Sequence, residues 1–160
     1  MRIDIPFIFF PLQYIIQKAL LTCIDSIVTQ LPQLTSLNIS DCPNLRTLAP
    51  IAQYNGETNS TEANVNRNLN LRHLWVRGCN LSTMSKREWS RIFHALSRST
   101  GPLERMTLSR NRMSYLEAGI GKLESLSYLF VEDNYYVGDD GVGSAFELPD
   151  ELGCECLLGL

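Results

Sequence analysis

The chain has 160 residues, of which 44% are hydrophobic and 19% charged, and this composition suits one folded domain with a buried core. The formal net charge of -3 argues against a nucleic-acid-binding protein, because no basic stripe is present to neutralise phosphates. The five cysteines are an odd number and lack paired clusters, which favours reduced thiols and a cytoplasmic protein over a disulfide-stabilised one.

The first 33 residues contain two apolar patterns. Ile3 and Ile5 alternate with charged residues, which is compatible with a truncated strand. From Leu12 to Leu31 the apolar residues keep helical spacing, and Pro32 ends the predicted helix.

The apolar run over residues 6–12 raises the alternative of a signal peptide. An acidic residue, Asp4, stands in the would-be basic region, and no clear small-residue cleavage site follows. The run is also too short to span a bilayer, so we favour a buried helix that belongs to the core.

Four segments share one frame: apolar, two free positions, apolar, one free, apolar, two free, Asn or Cys, one free, apolar. Frames 1 to 4 begin at Leu34, Leu71, Leu103 and Leu126, and frame 1 closes one place late. The alternating part of each frame predicts a short strand with apolar side chains on one face. The ninth positions hold Cys42, Cys79, Asn111 and Asn134.

This frame is the leucine-rich-repeat signature, and the chain resembles a leucine-rich-repeat protein over roughly residues 31–136. The resemblance implies an α/β solenoid with short parallel strands on the concave face and helices and turns on the convex face. Residues 1–33 are then a degenerate N-terminal repeat or cap, residues 34–136 the repeats, and residues 137–160 a partial C-terminal repeat or cap. Whether the sequence is complete or a piece of a longer protein stays open.

The segments between the frames differ in length and composition. Residues 55–70 are polar and Asn-rich, which predicts a mobile loop that includes a glycosylation sequon at Asn59. Ser85 and Glu88 form a capping box, and an apolar stripe follows, which predicts a helix that ends before Gly101. The next interval is too short for such a helix and predicts a turn or a 3₁₀ segment, so the array mixes ribonuclease-inhibitor-like and short repeats.

The C-terminal region is predicted to contain a turn at residues 138–141 and part of one more repeat. Leu148, Leu152 and Leu158 each lie 32 positions beyond Leu116, Ile120 and Leu126, which aligns the two sets.

In this family, binding usually occurs on the concave face, which the free positions of each strand line. The predicted partner-binding centre is Trp75, Arg105, Tyr128 and Phe130, and the predicted polar rim is His73, Arg77, Arg110, Glu132 and Asp133. Large exposed aromatics and arginines are typical of interface hot spots. The alternative is that the aromatics only cover neighbouring strands and that Arg110 pairs with Asp133.

No catalytic motif is present, and Cys154 and Cys156 lack a second ligand pair for a metal. The sequence therefore predicts a non-catalytic module that binds a protein partner and requires no cofactor, metal, nucleic acid or membrane. Two alternatives stay open. One is an adaptor or regulatory subunit of an enzyme complex, such as a ubiquitin-ligase substrate receptor or a phosphatase or GTPase regulator. The other is an extracellular ligand-binding ectodomain.

Overall fold

The structure, a computed structural model, describes residues 12–17, 24, 34–53, 70–99, 101–134, 136–137, 143–144, 146–150 and 157–159. The strands are β1 (Leu12–Gln17), β2 (Leu34–Ser40), β3 (His73–Arg77), β4 (Arg105–Thr107), β5 (Tyr128–Phe130), β6 (Tyr136–Val137), β7 (Gly143–Ser144) and β8 (Leu157–Gly159). The helices are α1 (Ala49–Gln53), α2 (Lys86–Ser97) and a 3₁₀ helix, η1 (Ala118–Lys122).

The fold is mixed α/β, and its sheet is parallel. The strands lie in the order β1-β2-β3-β4-β5-β8, and each neighbouring pair is parallel. A separate antiparallel pair joins β6 to β7. Because neighbours along the sequence are also neighbours in the sheet, equivalent frame positions fall side by side on successive strands.

The apolar positions of the four frames form the core. The residues at positions four and six are 0–3% exposed; they are Leu37, Ile39, Leu74, Val76, Met106, Leu108, Leu129 and Val131. The four leucines that open the frames are also buried. Burying a side chain of this size stabilises the fold by about 1.5–3 kcal/mol, so this cluster is the main source of stability.

The helix predicted from the capping box is confirmed as α2. Ser85 Oγ accepts the backbone N–H of Glu88 at 3.3 Å, while Glu88 Oε2 accepts the backbone N–H of Ser85 at 2.8 Å. The bond from the Ser85 backbone holds the pKa of Glu88 below its ordinary value of 4.5. The predicted stripe is buried, and the rings of Trp89 and Phe93 stack at 5.4 Å.

The 3₁₀ segment predicted for the shorter interval is confirmed as η1, whose N-cap is Glu117. The short helix α1 was not predicted. Thr47 Oγ1 accepts the N–H of Ala49 at 3.0 Å, and Pro50 stands in the first turn, where a helix tolerates proline. Leu48 and Ile51 are fully buried.

The helix predicted from Leu12 onward is wrong over residues 12–17, which form β1. In β1, Tyr14 and Ile16 lie opposite Leu37 and Ile39 of β2. The apolar-rich stretch fits helical spacing as well as strand spacing. Its aromatic and β-branched residues favour a strand, and pairing satisfies backbone groups along one side of β2. The strand suggested at Ile3 and the rest of the predicted helix, apart from residue 24, lie outside the described residues.

The C-terminal alignment is half right. An isolated parallel bridge pairs Tyr115 with Glu147, so Leu148 follows Leu116 in register, as predicted. Leu158, however, pairs with Leu129 and not with Leu126, because β8 lies opposite β5. From Glu147 to Leu158 the chain advances 11 positions, whereas from Tyr115 to Leu129 it advances 14, so the register shifts by three positions after the bridge. The predicted turn at residues 138–141 and Leu152 lie outside the described residues.

The predicted mobile loop at residues 55–70 also lies outside the described residues, except for Asn70. Among the helices that the structure describes, none is both long and apolar enough to cross a lipid bilayer.

The ninth frame positions form a buried ladder beside the sheet. Asn111 donates its amide to the carbonyl of Val76 at 2.8 Å, and its Oδ1 accepts the N–H of Cys79 at 3.0 Å. Asn134 repeats the pattern one strand further on, with its amide on Leu108 O and its Oδ1 on Asn111 N. These side chains therefore satisfy backbone groups where the chain leaves the strands.

The two cysteines of the ladder are free and buried. Burial raises the pKa of the Cys79 thiol to about 11, with a smaller contribution from the neighbouring Cys42 and Asp41. We therefore expect Cys79 in the folded protein to resist alkylation near pH 8, because the thiolate is the nucleophile. Rapid modification before unfolding, detected by mass spectrometry of the alkylated peptides, would contradict the burial of this ladder position.

The same shift gives a pH dependence of stability. The unfolded thiol ionises near 9.0, whereas the folded thiol stays protonated to about 11. The contribution of the protonated Cys79 thiol to the free energy of unfolding is therefore complete below pH 9, and it is lost as the pH rises from 9 through 11.

Candidate functional site

The free positions of the frames line up across the sheet as predicted. Row three, the third frame position, pairs its members in the order Ser36, His73, Arg105, Tyr128. Row five, the fifth frame position, pairs Asn38, Trp75, Thr107, Phe130. Neighbouring strands are about 4.8 Å apart, so each row is a ladder of adjacent side chains on the face opposite the core. We call this surface the strand face.

Strand β5 presents two aromatic residues to solvent. Tyr128 is 36% exposed and Phe130 is 37% exposed, and they are the large hydrophobic residues with exposed side chains in the described part of the chain. The guanidinium carbon of Arg105 lies over the Tyr128 ring, 4.8 Å from its centroid. This cation–π contact holds Arg105 in place beside the aromatic pair.

Trp75 is half-buried and lies against His73, with 5.2 Å between the ring centroids and an angle of 50°. The Nδ1 atom of His73 in turn lies 3.0 Å from Ser36 Oγ, which is buried. Trp75 is thus supported on one side by a fixed imidazole. Its other neighbour in row five is the smaller Thr107, and Phe130 follows on β5.

A polar network at the start of the strands was not predicted. Glu104 accepts a hydrogen bond from Arg72 at 3.1 Å and lies 3.8 Å from His73 Nε2. The sequence contains one pattern that could have predicted this network: Arg72 and Glu104 have opposite charges and occupy the second position of successive frames. The network restrains His73, and through it Trp75.

The predicted rim is divided between two places. His73 lies beside Trp75, and the exposed Arg77 lies two residues further along the same strand. Glu132 is half-buried in row seven of frame 4. Ser109, which the frame also places in row seven of the strand face, is only 2% exposed, and its hydroxyl has no hydrogen-bond partner.

The remaining rim residues lie in row eight, where the chain turns. Backbone φ angles there are positive for Asp41, Gly78, Arg110 and Asp133, at 53° to 65°. Arg110 Nε lies 3.1 Å from Asp133 Oδ2, and both side chains are more than half exposed. The ion pair expected under the alternative interpretation of these residues therefore forms, but an ion pair so exposed contributes only about 0–1 kcal/mol.

Gly78 has the same left-handed backbone, with a φ of 65°, as the Asp and Arg residues at the equivalent turns. An added Cβ at Gly78 would lie 2.5 Å from Asp41 Oδ1, so the Asp41 side chain would have to move. The backbone N–H of Gly78 donates to Ser109 O at 3.1 Å, which joins this turn to the next frame.

The chain matches no protein-family model, no curated protein and no solved structure. Within the described residues, no group of three or more His, Cys, Asp or Glu side chains is arranged to hold a metal ion. Cys154 and Cys156 lie outside those residues. The interpretation of the site therefore depends on its own geometry.

Proposed function

We propose that the chain is a leucine-rich-repeat solenoid that binds a protein partner through its concave strand face and performs no catalytic step. The sequence frame supports the solenoid, because four frames occur in order and their equivalent positions are paired across one parallel sheet. We further propose that the protein is cytoplasmic, since the two free cysteines of the ladder suit a reducing compartment.

The observation that carries the proposed function is the exposure of Tyr128 and Phe130 on adjacent rows of one strand. Solvent exposure of two large aromatics gives no stability, whereas tyrosine, tryptophan and arginine dominate the binding energy of interfaces. Arg105 lies beside Tyr128 on the neighbouring strand β4, and Trp75 lies one strand further on, on β3, with the smaller Thr107 between it and Phe130. The four side chains come from backbone that is already ordered, so a docking partner spends little entropy on ordering it.

We expect the replacement of Trp75 and Phe130 by alanine to weaken partner binding by about 2 kcal/mol or more for each residue. The test is affinity capture with the intact chain, followed by titration of the captured protein against each variant. Arg87→Ala is the matched control, because Arg87 is exposed on α2, away from the strand face.

Folding of the variants is checked by thermal unfolding. Phe130→Ala should leave the melting temperature almost unchanged, because more than a third of this residue is exposed and the core lies on the opposite face of the sheet. Normal binding by both aromatic variants, or unfolding caused by Trp75→Ala, would refute the proposed site. A loss of binding with Arg87→Ala alone would move the site to the convex side.

A further inference from the structure

The arginines of the strand face fall into two classes. Arg72 and Arg110 each lie 3.1 Å from a carboxylate oxygen, that of Glu104 and Asp133 respectively. Arg77 and Arg105 are exposed, and no carboxylate of the described residues lies within ion-pair distance of either guanidinium. The chain as a whole carries a net charge of -3. Two arginines without a paired carboxylate therefore give this small surface a positive charge that is opposite in sign to that of the whole chain.

Arg105 is also restrained by an aromatic contact. Its guanidinium carbon lies over the Tyr128 ring, 4.8 Å from the centroid. Because no carboxylate of the described residues lies within ion-pair distance of this guanidinium, its N–H groups can bind a carboxylate of a partner in a bidentate manner. Arg105 is therefore suited to bind an anion that approaches along the strand face.

The two arginines flank the aromatic centre. Arg77 lies in row seven of β3 and Arg105 in row three of β4, so their backbone positions are four residues and one strand apart, about 14 Å. Trp75 lies in row five, between them. A single phosphate group requires donors that converge on one point, whereas this separation suits two separate carboxylates.

We propose that the partner presents an extended acidic segment to this surface, with two carboxylates that bind Arg77 and Arg105 and an apolar side chain between them on Trp75 and Phe130. Four residues of extended chain span about 13 Å, which matches the separation of the arginines. The segment would read acidic residue, any residue, apolar residue, any residue, acidic residue. This inference depends on the proposed function, since it names the partner chemistry of the same site.

The remaining charges determine how the segment is placed. Glu132 lies in row seven of frame 4, two strands from Arg77, about 10 Å away. It repels carboxylates from that corner, while Asp133 is already compensated by Arg110. The acidic segment is therefore confined to β3 and β4, with its apolar residue towards β5.

The test is a selection of short random peptides, displayed on phage, against the intact chain. Peptides with two acidic residues that flank an apolar residue should be enriched. Binding of a recovered peptide should weaken by about tenfold or more when Arg77 and Arg105 are both changed to Glu, and it should weaken with added salt. The neutral variant with Gln at both positions should have a smaller effect in the same direction, and it guards against misfolding of the charge-reversed variant.

The matched control carries the same charge reversal at Arg87 and Arg91, which are exposed on α2. It should bind the recovered peptide normally, because only the net charge has changed. Equal weakening by this control, a selection without acidic pairs, or no selected peptide would overturn the acidic-segment proposal. If the selected peptides lack acidic pairs but need Phe130, the proposed function stands and only this inference fails. If their binding is unaffected by Phe130→Ala, both fail.

Discussion

Replacement of Leu108 by alanine is expected to lower the free energy of unfolding by about 2–5 kcal/mol. Leu108 is fully buried, and it lies in the third frame, with a strand of the sheet on each side. Truncation leaves a cavity that the neighbouring strands cannot close, because their positions are fixed by pairing on both sides. Chemical denaturation, with the unfolding followed by circular dichroism, measures the loss as a lower midpoint.

Leu148→Ala provides the matched control, because Leu148 is half-buried and packs against the edge of the same core. This change removes the same atoms, but solvent can fill the space, so its cost should be clearly smaller. If the two changes had equal and small effects, Leu108 would face solvent, and the strand register would be wrong by one residue.

Replacement of Asn111 by alanine is expected to lower the free energy of unfolding by about 2–4 kcal/mol, although it removes no large apolar side chain such as that of Leu108. The side chain satisfies two buried backbone groups, the carbonyl of Val76 and the N–H of Cys79. Without it both groups lose their partner in a region closed to solvent, and each unsatisfied group costs about 1–3 kcal/mol. The same denaturation measurement gives the effect.

Asn80→Ala is the control for this change. Asn80 is half-buried nearby, and its side-chain oxygen accepts a hydrogen bond from Ser82 Oγ at 2.9 Å. Its removal should cost about 1 kcal/mol or less, because water can replace the lost partner. Comparable losses for the two asparagines would mean that the ladder contributes no more than an ordinary polar contact.

The register of β2 to β5 could be predicted from the sequence because each frame repeats the same spacing. A strand alternates its side chains with a period of two, so Leu37, Leu74, Met106 and Leu129 can be aligned from spacing alone. The helix α2 could also be predicted, since Ser85 and Glu88 form a local signal that needs no distant contact. In such cases the local pattern and the tertiary contacts agree.

The secondary-structure predictions were wrong where the local sequence pattern fitted more than one structure. Residues 12–17 fit helical and strand spacing equally well, and the available edge of β2 decides for a strand. The end of the chain was misaligned at Leu158 because the segment between Glu147 and β8 is three residues shorter than the segment between Tyr115 and β5.

Parts of the candidate site could not be predicted because they depend on side-chain packing. The rows of the strand face follow from the frames, but the burial of Ser109 does not. The contacts of His73 with Ser36 and Glu104 depend on rotamers that the frame leaves free. Spacing therefore gives the positions of candidate residues, and the folded chain decides which of them contact each other.

Oxidative footprinting of side chains tests the central claim most directly. Hydroxyl radicals modify exposed aromatic residues, and mass spectrometry reports the extent at each position with the captured partner present or absent. Tyr128 and Phe130 should become protected when the partner binds, while Tyr115, which is half-buried beside Lys86 of α2, should be modified to the same extent in both samples. Protection of Tyr115 with unchanged modification of Tyr128 and Phe130 would contradict binding through the strand face.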